Sequence, residues 1–161
     1  ALVDAVSDME GVAVFNLYEL SQEIAFNIDE WSKIISDASA VIYQFPFYWM
    51  SAPSLLKKWQ DEVFTFLSKT PAVAGKPLTV VTTTGSEYEA YRSGGRNRFT
   101  TDELLRPYQV SAIHSGMSWQ TPIVVYGMGT ADAGKNIAEG ANLYKQRVEM
   151  LIGSSNAGNN W

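Results

Sequence analysis

Four short apolar runs punctuate this chain: Val12 to Leu17, Ala40 to Phe45, Pro77 to Thr83 and Pro122 to Tyr126. After each run the apolar residues recur every three or four positions. The first pattern suits strands and the second suits amphipathic helices. Strands separated by helices pair in parallel, since a crossover helix returns the chain to the same end of the sheet. The run from Ala40 is apolar almost throughout, as in a sheet covered on both faces. These features predict an α/β, three-layer fold whose binding crevice lies at the carboxyl ends of the strands.

The helical stretches have their own signals. Leu2, Val3, Val6 and Met9 predict a helix over residues 1–9, closed by Glu10 and Gly11. Asp29 is placed to cap a short helix carrying Trp31, Ile34 and Ile35. Pro53 opens a helix whose stripe is Leu55, Leu56, Trp59, Val63, Phe64 and Leu67. Thr100 and Glu103 have capping-box spacing, Pro107 must kink that helix or start another, and Gly116 is a stop. Ile137, Ala141, Tyr144, Val148 and Leu151 define a final amphipathic helix. The expected domain is 1–152, followed by a flexible Gly/Ser/Asn-rich tail, 153–161, unless Trp161 docks.

Composition removes whole classes of chemistry. Without cysteine there is no thiolate catalysis, disulfide or thiolate-ligated metal. One histidine, His114, excludes a multi-histidine metal site within the chain, and a packed or surface role is expected for it. A net charge of −5 gives no overall attraction to nucleic acid. No apolar run has the length of a membrane span, and no basic segment precedes an apolar block at the N-terminus, so a cytoplasmic location is expected. Ala1 at the start fits removal of an initiator methionine or loss of a longer segment.

Two post-strand loops carry the functional content. The first, Gln44 to Pro53, sets Phe47, Tyr48 and Trp49 in a row between prolines. A stiff aromatic loop at a crevice suits a flat conjugated ligand, or else its rings pack beneath the next helix. The second, Thr82 to Gly95, places hydroxyls and Gly85 directly after a buried strand, which suits close backbone approach. Tyr88 and Tyr91 add phenolic donors, and Gly94-Gly95 reads as a hinge or lid. An ordinary polar surface loop is the alternative.

Residues 44–64, QFPFYWMSAPSLLKKWQDEVF, resemble the flavin-contacting loop and following helix of the NAD(P)H:quinone oxidoreductase family. The closest branch is similar to bacterial quinone reductases that include ancillary proteins of glutathione-gated potassium efflux systems. Thr83-Thr84-Gly85, Leu104-Leu105-Arg106-Pro107, Gly116-Met117 with Pro122, and Tyr144-Lys145-Gln146-Arg147 extend the resemblance in order over about residues 1–152.

The resemblance implies a flavodoxin-like fold and bound FMN. Pro46, Phe47, Tyr48, Trp49 and Met50 would line one edge of the ring. Thr83, Thr84, Gly85 and Ser86 would close its pyrimidine end, with Tyr91 beside it. It implies two-electron hydride transfer from NAD(P)H through the flavin to a quinone, with no metal and no assigned catalytic side chain. A homodimer is implied, and a dimer surface is one place for Trp119. The alternative is a regulatory subunit on a membrane transporter, peripheral to the inner face. Arg92, Arg96 and Arg98 flank Gly94-Gly95 and suit the phosphates of NAD(P)H, or else a solvated loop.

Two departures from the family pattern stand out. Members begin with a strand and a phosphate-binding loop, whereas this sequence starts inside what resembles the first helix. The usual first strand would lie between Val12–Leu17 and Ala40–Phe45 in the order 2-1-3-4-5. Three readings stay open: an incomplete chain, another segment in the gap, or a flavin-free remnant. In addition, Thr65 to Pro71 replaces an aromatic, glycine-rich segment that relatives carry.

Overall fold

The computed structural model describes residues 2–20 and 25–157. Ala1 and the tail residues 158–161, Trp161 included, lie outside the described residues. A parallel sheet is built from β1 (Val41–Pro46), β2 (Pro77–Thr83), β3 (Ser118–Trp119) and β4 (Ile123–Val125). β2 is central, with β1 on one side and both β3 and β4 on the other, every pairing parallel.

Side chains alternate between two cores, as the strand period of two requires. Tyr43, Phe45, Leu78 and Val80 face one core with Trp31, Trp59, Val63, Leu105 and Tyr108. Val81, Ile123 and Val125 face the other with Leu2, Val6, Tyr144 and Val148. The first face is covered by α2 (Ile28–Asp37), by α3 (Ser54–Trp59) running on into α4 (Thr65–Leu67), and by α6 (Arg106–His114). The second is covered by the long α7 (Ala133–Ala157), which continues in helix beyond Gly153. Gly140 lets α7 lie close: a Cβ there would sit 2.3 Å from Val125 Cγ2.

A register shift separates β3 from β4. Leu78 pairs with Trp119, but Val81 pairs with Ile123, so one extra residue is inserted between them. The bulge falls at Thr121-Pro122, where proline has no N–H to give a ladder. The Thr121 carbonyl is taken up by Thr79 Oγ1 at 3.1 Å and Arg147 Nη1 at 2.7 Å.

Several expectations need correction. Val12 to Leu17 is not a strand: residues 12–16 have no regular structure and α1 (Leu17–Leu20) starts at Leu17. Among the described residues no strand pairs with that run, and Val14 and Phe15 are exposed. Over the described residues 2–9 the only helical segment is a 3-10 turn, Val3–Ala5, although Leu2 and Val6 are buried as their spacing required. The cap of α2 is Asn27, which accepts from the N–H groups of Asp29 and Glu30, because the helix begins one residue before Asp29. Pro53 is the N-cap of α3, with extended ψ, not its first helical residue. A π-helical turn, Gln60–Phe64, joins α3 to α4.

The capping box at Thr100 and Glu103 is formed at the start of α5 (Thr101–Leu104), and Pro107 lies in the first turn of α6, just after Arg106. Lys76 closes α2 by donating to the carbonyls of Ile35 at 2.7 Å and Ser36 at 2.8 Å. Burial pulls its ammonium below the usual lysine range, against the opposing charge of Asp37.

Candidate functional site

The two loops singled out in the sequence leave adjacent strands side by side. Pro46 and Thr83 are ladder partners, and Phe47 donates its N–H to the Thr83 carbonyl at 2.9 Å. The chain then makes a tight turn. Tyr48 and Ser51 exchange backbone hydrogen bonds at 2.8 and 3.0 Å, with Trp49 (φ 47°) and Met50 (φ 61°) at its tip. Two consecutive positive φ values suit glycine or asparagine in such a turn, so these two residues hold a strained conformation. Their side chains do not pack under the next helix, since Trp49 is 98% exposed. The base of the turn is pinned instead. Ala52 N–H donates to the Tyr108 hydroxyl at 3.0 Å, and Ser51 Oγ meets the same hydroxyl at 3.2 Å.

The threonine loop is held from the other side. Thr84 N–H donates to the Val125 carbonyl, and the N–H groups of Met128 and Gly129 donate to the carbonyls of Thr84 and Gly85, each at 2.9 Å. Thr84 is buried, and its hydroxyl donates to the Ser86 carbonyl at 2.8 Å. A Cβ added at Gly85 would meet nothing within 4 Å, so open space lies over that residue. Among the described residues the N–H groups of Trp49, Met50, Gly85 and Ser86 have no hydrogen-bond acceptor. Two sets of free donors therefore sit at the carboxyl ends of neighbouring strands.

Tyr91 is buried between the loops. Its ring meets Phe47 at 6.2 Å and Tyr126 at 5.9 Å, and Tyr88 meets Tyr126 at 5.3 Å. Tyr126 bonds to Thr101 Oγ1 at 2.7 Å, and burial raises its phenol above the ordinary range. Tyr126 was not picked out from the sequence, where it marks only a strand end. The supporting residues Gly127 and Gly129 were also missed, though a Gly-x-Gly directly after a strand is a sign of close backbone approach.

Gly94-Gly95 forms a compact turn. Gly94 has φ 83°, and a Cβ on Gly95 would lie 2.2 Å from the Glu89 carbonyl oxygen. Asn97 N–H bonds to the Ala90 carbonyl at 3.0 Å, which ties the turn down. A groove of about 570 Å³ lies beside it, along the edge of β4 toward α7, and shares Tyr88, Tyr91 and Tyr126 with the loops. Among the described residues no cluster of histidine, aspartate or glutamate could hold a metal ion. No helix there is long and apolar enough to cross a membrane.

Comparison with known proteins agrees with this architecture. The family model described as flavodoxin-like fold matches residues 1–148. An NAD(P)H oxidoreductase of Bacillus subtilis, YdeQ, whose role is uncharacterized, is 34% identical, with 92% of this chain and 77% of the relative covered. KefG of Serratia proteamaculans, an ancillary protein of a glutathione-regulated potassium-efflux system, is 35% identical, with 78% of this chain and 70% of the relative covered. Among solved structures, general stress protein 14 of Treponema denticola in complex with FMN superposes with a TM-score of 0.82 at 26% identity, covering 93% of this chain and 88% of that one. The chain belongs to the flavodoxin-like fold family.

Proposed function

We propose that this chain is an FMN-dependent NAD(P)H:quinone oxidoreductase that works as a homodimer. The observation that carries the reading is the pairing of the aromatic turn with the threonine loop through Phe47 and Thr83, with unused N–H donors on both. Flat heterocycles with carbonyl groups along one edge suit that donor set, and the open space over Gly85 allows backbone-distance approach. The FMN complex of the Treponema denticola protein and the NAD(P)H oxidoreductase relative support the same cofactor and donor.

Bound FMN supplies the two-electron hydride chemistry, from NAD(P)H to a quinone. Gly85 and Ser86 N–H would hold the pyrimidine end of the ring, and those of Trp49 and Met50 its neighbouring edge. Fixed donors of this kind favour negative charge on whatever they hold. Tyr48, Trp49 and Met50 would exclude water from one side. None of these side chains is required to move a proton.

Purified protein should be yellow or take up FMN, and bleach on addition of NADPH. Colourless protein that cannot be reconstituted counts against the reading. The similarity to KefG favours a second role, docking on a membrane transporter at the cytoplasmic face. Membrane pull-down that persists in a variant unable to hold FMN would support that role.

A further inference from the structure

Three arginines fall on one turn beside the site, Arg92, Arg96 and Arg98 around Gly94-Gly95. Arg92, Arg96 and Arg98 lie between Glu89 and Asp102 with no acidic residue among them, in a chain whose net charge is −5. Among the described residues none of the three is in an ion pair, whereas Lys57, Lys58 and Lys135 pair with Asp61, Glu62 and Glu139. Clustered positive charge left without carboxylate partners raises the local concentration of anions.

Their placement connects two features. Arg96 donates to Ser86 Oγ, at the end of the threonine loop. Arg92 lies over the Tyr88 ring, 5.5 Å from its centroid, and lines the groove along β4. That groove, at about 570 Å³, is in the range of small-molecule sites. Tyr88, Tyr91 and Tyr126 line one side, Ser93, Thr100 and Thr101 supply hydroxyls, and Arg147 stands on α7. Asp102 is its one carboxylate. The Gly94-Gly95 turn and Arg98, itself at φ 63°, hold the arginine segment in shape.

We propose that this groove receives the adenosine half of the reducing nucleotide, and that Arg92 and Arg96 bind its phosphates and so select a 2′-phosphorylated donor, NADPH over NADH. The proposal rests on the oxidoreductase reading above. Guanidinium suits phosphate because it offers paired, planar donors. Arg92 and the tyrosines line the groove, and Arg96 ties the same turn to Ser86 of the threonine loop, which links the groove to the site at Gly85.

The test is equilibrium binding of NADP⁺, NAD⁺ and 2′,5′-ADP to the purified protein, with FMN retention measured on the same samples. NADP⁺ should bind at least about 10-fold more tightly than NAD⁺, a preference that weakens with added salt. Arg92→Gln and Arg96→Gln should each lower that ratio several-fold, and Lys57→Gln, an exposed cation paired with Asp61, should not. Equal affinity for both nucleotides overturns the proposal. So does a ratio that the arginine variants leave unchanged, or displacement of 2′,5′-ADP by inorganic phosphate at equal concentration. Loss of FMN binding with nucleotide discrimination intact would instead sink only the flavin reading.

Discussion

The backbone N–H of Phe47 reaches the Thr83 carbonyl at 2.9 Å, continuing the β1–β2 ladder one step past its last paired residues. That bond fixes the aromatic turn against the threonine loop, where the chain folds back at Tyr48. Whatever occupies the crest touches both loops, and substitutions there can be sorted by whether they affect the fold or the ligand.

Trp49 separates the two effects. It is exposed and holds a left-handed backbone conformation. Asparagine enters that region more readily, so Trp49→Asn should leave stability unchanged or raise it by up to about 1 kcal/mol. The same variant should lose FMN several-fold faster than the parent on dilution. Thermal melts and a flavin-release assay on one preparation check both. A fall in stability with flavin retention unchanged would contradict the assignment.

Gly140 is a case where steric conflict outweighs propensity. Alanine in a helix interior normally gains about 1 kcal/mol over glycine. Here its Cβ would lie 2.3 Å from Val125 Cγ2, so Gly140→Ala should destabilise by about 1–3 kcal/mol. Val125→Ala should be destabilising alone and partly suppress Gly140→Ala, as a chemical-denaturation double-mutant cycle would show.

Among the described residues the Tyr43 hydroxyl has no well-formed hydrogen bond; desolvation pushes its pKa well above the phenol range, with the nearby Gln60 side chain pulling weakly the other way. Removing an unsatisfied group is nearly neutral or favourable. Tyr43→Phe should therefore change unfolding free energy by less than about 0.5 kcal/mol, or raise it by about 1 kcal/mol. A clear loss would mean that the hydroxyl has a partner.

Glu103 accepts from the N–H and hydroxyl of Thr100, and these bonds hold its carboxyl below the ordinary glutamate range. A depressed folded pKa gives stability that is present above the unfolded pKa and lost as pH falls through the folded one. Glu103→Gln should be less stable than the parent at neutral pH. That difference should shrink between about pH 5 and pH 3 in urea melts repeated across the range.

How much of this was legible in the sequence depends on whether the signal is local. The Thr100 capping box, the Pro107 restart and the existence of β1 and β2 need only nearby residues, whereas the expected cover on both faces of β1 fails at Gln44 and Pro46, which are exposed. The aromatic turn was readable because three rings after a strand end have few structural uses. The run from Val12 to Leu17 misled, since an apolar pattern becomes a strand only beside another strand. The Thr121 bulge and β3 were hidden because register belongs to the pairing with β2. Asn27, not Asp29, caps α2 because the helix starts a residue earlier than its apolar stripe.

The central claim is that a planar cofactor rests on backbone donors beneath open space at Gly85. Equilibrium FMN titration of the parent and Gly85→Val tests it directly. A Cβ at residue 85 meets no heavy atom within 4 Å, so the variant should melt within a few degrees of the parent. It should bind FMN at least about 10-fold more weakly, a difference of about 1.4 kcal/mol or more. Equal FMN affinity in a correctly folded Gly85→Val protein would contradict the account.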